Sequence, residues 1–266
     1  MRFKSLSELK RPEIYEVVLG VLPGDIRMTR YARAKAFKTN ELVREIHKES
    51  FEWYGYTLAK KNEPEIIEDI GLPPNEQNIY HYTSIDPEKI AGYQDSLPSS
   101  VVINGWIHSH GNLEFKRFSG TDKKNHMTVL NYVSTQLRRP VSKREVVVKD
   151  FAFLVRGEYT ERDLQRGSVC LITDAPVSEA RILETIYGSF CYCIVIGDEG
   201  WHEQEIYYKK RGILSGETSV NKRDAELSIV DTGRLLTPAD IEILSQEVEE
   251  RLQPITAPPP ERIERM

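Results

Sequence analysis

The sequence predicts a mixed fold of helices and strands, and three observations lead to this class. Residues 39–50 have the apolar spacing of an amphipathic helix, which runs directly into an aromatic, strand-like segment at residues 51–61. A buried strand at residues 101–110 is followed by a second helix at residues 119–138. Beyond Pro140 the patterns are mostly those of strands.

The first thirty residues predict an N-terminal extension with a strand at Tyr15–Leu22 and a turn after it. Thr39 or Asn40 stands where the N-cap of the first helix is expected. Residues 71–100 are rich in Pro, Asn, Ser and Asp and predict a short strand and then either a long loop or a small helix at Asp86–Tyr93. The helix at residues 119–138 has one apolar face: Met127, Leu130, Val133 and Leu137.

Four strands are predicted in the second half: Val146–Arg156, Ser168–Thr173, Ile182–Ile196 and Glu203–Lys210. Gly188 is expected to interrupt the third strand, and residues 197–200 to form a hairpin turn before the fourth. Residues 211–230 predict a polar connector. Thr237 is the expected N-cap of a final helix that runs to about residue 252.

Composition and charge exclude several classes of protein. The 266 residues carry 36 Lys and Arg against 41 Asp and Glu, so no bulk attraction to nucleic acid or anionic membranes is expected. The longest apolar stretch, Phe190–Ile196, is far shorter than a bilayer span, and no signal peptide is evident. Cys170, Cys191 and Cys193 cannot form a disulfide framework and are predicted to be reduced core residues. A cytoplasmic protein is therefore expected.

His108 and His110 form a His-x-His pair in the predicted strand at residues 101–110. Residues i and i+2 of a strand point to one face, so both imidazoles project together, although such a pair is weak evidence by itself. Asp122 follows in the first turn of the next predicted helix, which completes the two-imidazole, one-carboxylate set of a catalytic zinc. Taken alone, the segment from Ser119 to Asp122 is explained as a helix N-cap.

The combined pattern resembles the JAMM/MPN+ (JAB domain) zinc metallopeptidase family, whose motif is E…H-[ST]-H-P, a short loop and S-x-x-D. The resemblance covers residues 35–140 well and the later strands more loosely. It implies a catalytic glutamate at the head of the strand after the first helix, in the setting E-x-x-G-x-x-L-x-G. Glu52 stands there, with Gly55 and Leu58 at the matching positions.

Three departures indicate a divergent branch, prokaryotic or phage. Gly111 replaces the usual proline, the loop from His110 to Ser119 is one residue longer than the common spacing, and Ala59 replaces the last glycine. None of these removes a ligand, and loops accept single insertions at little cost. The substrate of the eukaryotic members is therefore not carried over.

The resemblance implies one Zn²⁺ per chain, held by His108, His110 and Asp122 with a water in the fourth position. Glu52 would act as general base toward that water and hand the proton to the leaving amine. Ser119 would donate a hydrogen bond to the tetrahedral oxyanion. No protein nucleophile is needed.

The fold that the resemblance implies is an α/β MPN domain, similar to JAB and cytidine-deaminase domains, with a central mixed β-sheet flanked by helices. An elaborated β region and a terminal helix are expected after it. Five regions are expected along the chain. They are an N-terminal extension (residues 1–30), a catalytic core (31–165), a β region packed on the core (166–230), a C-terminal helix (231–253) and a flexible tail (254–266).

The expected function is hydrolysis of a peptide or isopeptide bond, after the C-terminal Gly-Gly of a ubiquitin-like protein. A peptidase acting on a peptidoglycan or sulfur-carrier substrate, a non-catalytic MPN scaffold and, more distantly, a metal-dependent nuclease remain alternatives. Intact Glu52 and intact ligands argue against the scaffold. The expected partners are a ubiquitin-like protein or its conjugate and a second copy or partner subunit, without nucleic acid or membrane.

Side chains around the motif have simpler explanations. Trp106 shares the strand face of the histidines and is expected to fill core. His126, one helical turn after Asp122, is placed to reach the site. Cys191 and Cys193 share a strand face, but no further ligand indicates a metal site there. Four basic residues predict a solvated rim: Lys116, Arg117, Lys123 and Lys124.

Overall fold

A computed structural model of the chain describes residues 15–78, 85–113, 115–146, 151–166, 169–176 and 182–255. Of the predicted flexible tail at residues 254–266, the part beyond residue 255 lies outside these residues, as do residues 1–14 of the predicted N-terminal extension. No helix in these ranges is long and apolar enough to cross a membrane.

Helices and strands alternate along the chain, which confirms the predicted α/β class. The helices are α1 (Arg30–His47), α2 (Pro87–Ser96), α3 (Gly120–Gln136), α4 (Glu161–Leu164) and α5 (Pro238–Arg251). The strands are β1 (Glu16–Val18), β2 (Ile26–Thr29), β3 (Tyr54–Lys60), β4 (Ile66–Ile67), β5 (Asp69–Gly71), β6 (Asn75–Asn78), β7 (Val101–Ser109), β8 (Arg139–Val146), β9 (Phe151–Val155), β10 (Val169–Thr173), β11 (Ile182–Ile196), β12 (His202–Gly212), β13 (Thr218–Asp224), β14 (Leu227–Val230) and β15 (Leu252–Ile255).

The chain divides into two compact units. The smaller unit draws its described residues from Met1–Val21, Arg139–Gly188 and Lys210–Ser219. The larger unit draws them from Leu22–Arg138, Ser189–Lys209 and Val220–Met266. All residues of the candidate site lie in the larger unit.

β7 is the central strand of the larger unit. It pairs antiparallel with β3, where Tyr54 lies opposite His108, and parallel with the second half of β11, where Ile194 lies opposite Ile107. β5 extends the sheet beyond β3. The sheet is therefore mixed, as expected.

Alternate residues of the central strands enter two different hydrophobic cores. On one face Ile107 packs with residues of α1 and α5, and on the other Trp106 packs with residues of α2 and α3. Each fully buried large apolar side chain contributes roughly 1.5–3 kcal/mol. Helices thus flank both faces of the sheet, and His108, two residues after Trp106, lies on the face of α3.

The first helix begins earlier than predicted. Thr29 is its N-cap, since the Thr29 hydroxyl accepts the amide N–H of Ala32 at 3.1 Å. Thr39 and Asn40, expected at the N-cap, are buried inside the helix, where Asn40 Oδ1 accepts the indole N–H of Trp53 at 2.6 Å. The first turns of this helix are rich in Ala, Arg and Lys and have no regular spacing of large apolar residues. The sequence therefore does not indicate them as helix.

Several predictions for the second half are wrong. β8 starts immediately after α3 and contains Pro140, which was expected only to end the helix. β11 continues through Gly188, and its pairing with β8 shifts register between Ile186 and Tyr187. β13 and β14 occupy residues 211–230, the predicted connector. β13 is exposed along its whole length, so its sequence has no apolar alternation.

The hairpin turn and the final helix are confirmed. Gly197 N–H donates to the Trp201 carbonyl at 3.1 Å, which closes the turn between β11 and β12. Thr237 and Asp240 form a capping box at the start of α5. β15 follows this helix directly, a strand that was not predicted.

The smaller unit contains a buried carboxylate, that of Glu184 in β11. It accepts hydrogen bonds from the Arg144 guanidinium at 3.1 Å, from the Leu214 N–H at 3.1 Å, and from the Ser215 N–H and hydroxyl at 2.9 and 2.8 Å. Burial alone would raise the pKa of Glu184, but these hydrogen bonds outweigh it and the pKa is lowered.

Candidate metal centre

The end of β7 brings two histidines together. The Nε2 atoms of His108 and His110 are 3.2 Å apart. Ser109 N–H donates to the Trp53 carbonyl at 2.8 Å, and His110 N–H donates to the Ile196 carbonyl at 2.9 Å. The histidine backbone is therefore held from the strands on both sides of β7.

α3 brings the carboxylate of Asp122 to the same place. Asp122 N–H donates to Ser119 Oγ at 3.2 Å, and Ser119 N–H donates to Asp122 Oδ2 at 2.6 Å, so the segment is indeed a helix cap. The same carboxylate lies 3.2 Å from Nε2 of His108 and 3.6 Å from Nε2 of His110. The cap thus orients Asp122 toward the histidines.

These three side chains are the one group of potential metal ligands that the described part of the chain brings together. One ligand atom from each lies within 4.8 Å of the other two. His108, His110 and Asp122 are only 4%, 3% and 7% exposed. A buried group of this composition can hold a metal ion.

The hydrogen bonds of His110 favour a cation in this group. Its Nδ1 lies 2.7 Å from the Phe115 carbonyl oxygen, and because a carbonyl only accepts, Nδ1 is assigned the proton. A neutral ring then directs the Nε2 lone pair toward the Asp122 carboxylate and the ring of His108. Such an arrangement is repulsive unless a proton or a metal ion lies between the groups.

The pKa values of His110 and Asp122 are both shifted by the contacts within this group. Burial lowers the pKa of His110, but its hydrogen bonds with Asp122 and Phe115 outweigh burial, and the pKa is raised. Burial would raise the pKa of Asp122, but hydrogen bonds with His108 and His110 hold it far below its usual range. The site therefore stabilises positive charge at its centre.

Glu52 lies opposite His110 across the strand pair. The antiparallel register sets Tyr54 opposite His108, and a further backbone hydrogen bond continues the pairing beyond β3. The Glu52 side chain is half-buried, and its negative charge contributes to the raised pKa of His110. The glutamate thus stands beside the ligand group, just before the regular strand rather than within it.

Aromatic rings close the buried side of the site. Trp106 stacks on His108 with ring centroids 4.5 Å apart and an interplanar angle of 10°. His126 packs against Trp106 at 5.4 Å and against Phe118 at 4.7 Å, one layer behind the ligands. Burial lowers the pKa of His126 to about 3, so its ring is neutral. Trp106 therefore fills core, as expected, and also orients His108.

The other residues singled out in the sequence lie outside the ligand group. The four basic side chains of the rim are exposed, and Lys116 pairs with Glu199 at 3.4 Å. Cys191 and Cys193 are buried free thiols, whereas Cys170, expected in the core, is half-exposed in β10.

Three features of the site were not predicted. They are the Phe115 carbonyl that orients His110, the Trp201 ring at 6.1 Å from the His110 ring, and the carboxylate of Asp198. The hairpin turn at residues 197–200 was visible in the sequence, but its position beside the histidines depends on distant contacts that leave no motif.

Gly111 has a structural reason to replace the proline of the family motif. Its φ is +55°, in the left-handed region, which proline with φ fixed near −65° cannot adopt. A Cβ at this position would lie 2.6 Å from Ser50 Oγ. The close approach of the segment before Glu52 therefore requires glycine here.

No protein-family model matches the sequence, and no curated protein is significantly similar to it. What the chain does is therefore inferred from its motif and from the geometry of the ligand group.

Proposed function

We propose that this chain is a zinc-dependent metallopeptidase of the JAMM/MPN+ type, which hydrolyses a peptide or isopeptide bond after the C-terminal Gly-Gly of a ubiquitin-like protein. The observation that carries the proposal is the convergence of His108, His110 and Asp122 beside Glu52. Two ligands of a four-coordinate zinc with bonds of about 2.0–2.1 Å are about 3.3 Å apart. The contacts among the three side chains are 3.2, 3.2 and 3.6 Å.

The donor set fits zinc with one position open. Two imidazoles and one carboxylate are common ligands of catalytic zinc, and no fourth ligand joins them within the described ranges. Bound zinc supplies a Lewis acid that activates water and polarises the scissile carbonyl at neutral pH. One zinc ion per chain is therefore expected.

The residues around the open position have distinct roles in this proposal. The half-buried Glu52 carboxylate accepts a proton from the attacking water and passes it to the leaving amine. The Ser119 hydroxyl, at the start of α3 beside Asp122, donates to the oxyanion, a contribution of about 3 kcal/mol when such donors are removed. The two cysteines of β11 are buried in the core, so neither of these thiols competes as nucleophile.

An extended tail of small residues is the substrate that we propose for this site. Neither a cavity of about 560 Å³ lined by α2 and α5 nor one of about 270 Å³ beside the start of β7 includes a residue of the ligand group. A Gly-Gly tail needs no side-chain pocket and can bind as an added strand. The leaving amine is then either a lysine side chain or a backbone nitrogen.

The test is to incubate the zinc-loaded protein with a panel of ubiquitin-like fusions and with muropeptides, and to identify the products by mass spectrometry. Cleavage after Gly-Gly is expected, and Glu52→Gln with equal zinc content should be the inactive control. Cleavage of muropeptides alone would replace the substrate with a cell-wall peptide. Full zinc content without cleavage of either would favour a non-catalytic scaffold.

A further inference from the structure

Asp198 bonds to two of the segments that form the site. It lies in the turn between β11 and β12, yet its side chain is only 8% exposed. Its Oδ2 accepts the Ser50 hydroxyl at 2.7 Å, and its backbone N–H donates to the Gly111 carbonyl at 3.0 Å. The turn is thereby joined to the segment before Glu52 and to the loop after His110.

These two segments also touch each other. The position of a Cβ on Gly111 is 2.6 Å from Ser50 Oγ, and Gly111 N–H donates to Ser109 Oγ at 2.8 Å. The Arg44 guanidinium lies 3.8 Å from the Asp198 carboxylate and balances part of its charge. We call the group of Ser50, Gly111 and Asp198 the turn clamp.

The backbone at Glu52 needs hydrogen bonds from neighbouring segments to hold it in place. Regular pairing of β3 begins at Tyr54, and the hydrogen bond from Ser109 N–H to the Trp53 carbonyl extends it by one residue, so Glu52 lies at the end of the strand ladder. A general base must be held within hydrogen-bond reach of the proton that it accepts. Burial of a carboxylate is also costly unless it is hydrogen-bonded and its charge is paired, as Asp198 is by Ser50 and Arg44.

We infer that Asp198 is a positioning residue that holds Glu52 beside the metal centre through Ser50 and Gly111. The inference rests on the proposed function, in which Glu52 is the base. Asp198 does not touch the reacting atoms and acts only through the turn clamp.

Amide hydrogen exchange of the metal-free protein tests the clamp without a substrate. In Asp198→Ala and in Ser50→Ala, the amides of residues 109–111 should exchange about tenfold faster than in the wild type. Asp198→Asn keeps an acceptor oxygen for Ser50 and should restore slow exchange. Glu199→Ala removes an exposed carboxylate from the same turn and is the matched control, with no expected change. Unchanged exchange in both alanine variants overturns the inference.

Cobalt(II) in place of zinc then reports the placement of Glu52 by visible absorption. Glu52→Gln should change the spectrum, and Asp198→Ala should shift it in the same direction. Adding Asp198→Ala to Glu52→Gln should cause no further shift, while Asp198→Asn and Glu199→Ala should retain the wild-type spectrum.

The outcomes separate the inference from the proposed function. A wild-type spectrum for Asp198→Ala overturns the inference and leaves the peptidase proposal intact. The expected spectra without hydrolysis of any substrate support the inference and overturn the peptidase. A wild-type protein that takes up no cobalt overturns both.

Discussion

Asp122 in the larger unit and Glu184 in the smaller unit are both buried carboxylates, but they have different partners. Glu184 accepts hydrogen bonds from a guanidinium, two backbone N–H groups and a hydroxyl. Asp122 accepts the backbone N–H of Ser119 and otherwise faces two imidazoles. One carboxylate has a permanent positive partner, and the other faces imidazole rings, which carry no permanent charge.

The difference shows what distinguishes a structural carboxylate from a candidate metal ligand. Both groups have a lowered pKa, so the shift itself does not separate them. Burial of a carboxylate costs several kcal/mol unless its charge is balanced. Arg144 provides that balance for Glu184 at every pH, whereas the ring of His110 provides it for Asp122 only by binding a proton or a metal ion.

The largest expected effect is loss of zinc. Asp122→Ala and His110→Ala should reduce zinc from about one ion per chain to a small fraction, because three protein ligands leave none to spare. Elemental analysis after dialysis measures this. Ser119→Ala is the control, since it removes a hydroxyl beside Asp122 but no ligand and keeps the Ser119 N–H that bonds to the Asp122 carboxylate, and it should keep the metal. Full zinc in both ligand variants would exclude this site.

Removal of the base should come next in size. Glu52→Gln keeps the shape of the side chain but cannot accept a proton, so kcat should fall about 10²-fold or more while zinc content and fold are retained. Turnover with the cleaved fusion measures this at matched zinc content. An unchanged kcat would show that Glu52 is a bystander.

The third effect concerns the other carboxylate. Glu184→Gln weakens the pair with Arg144 and the bonds to the chain at Ser215, so the free energy of unfolding should fall by about 2–3 kcal/mol. Zinc content should not change. Chemical denaturation gives the first quantity and elemental analysis the second. If this variant lost its zinc, the division between a structural and a metal-binding carboxylate would fail.

The two carboxylates also show which parts of a site the sequence can predict. The shared face of His108 and His110 follows from the period of two in a strand, and Asp122 follows from the start of a helix. Glu52 has no local signal and was identified only by the family resemblance. Local periodicity and capping therefore predict the candidate ligands, while the proposed base needs information beyond this sequence.

Contacts between distant segments could not be predicted. Ser50 and Asp198 are 148 residues apart, and nothing in either neighbourhood indicates the other. The hydrogen bonds to the Glu184 carboxylate likewise include the backbone N–H groups of Leu214 and Ser215. Because almost every residue has such an N–H group, the sequence does not indicate these bonds. The fold was predicted where burial alternates, as in β7, and was missed in the exposed strand β13.

The smallest expected effect is the pH dependence of the metal-free protein. The pKa of His110 is raised in the folded state, so its contribution to stability is complete below its ordinary value of about 6.5 and is lost as pH rises through the raised value. The lowered pKa values of Asp122 and Glu184 act in the opposite direction, and their contributions are lost only as pH falls below about 4.

The difference in unfolding free energy between wild type and His110→Ala, measured without metal, should therefore be larger near about pH 5.5 than near about pH 8.5. The difference between wild type and Glu184→Gln should be the same at both pH values, because Arg144 keeps its charge throughout. With zinc present, the difference between wild type and His110→Ala should instead be larger near the higher pH. Zinc competes with the proton on His110 and binds more tightly as pH rises. A His110→Ala difference that does not vary with pH would mean that no proton is shared between His110 and Asp122. The contrast between the two buried carboxylates would then need another cause.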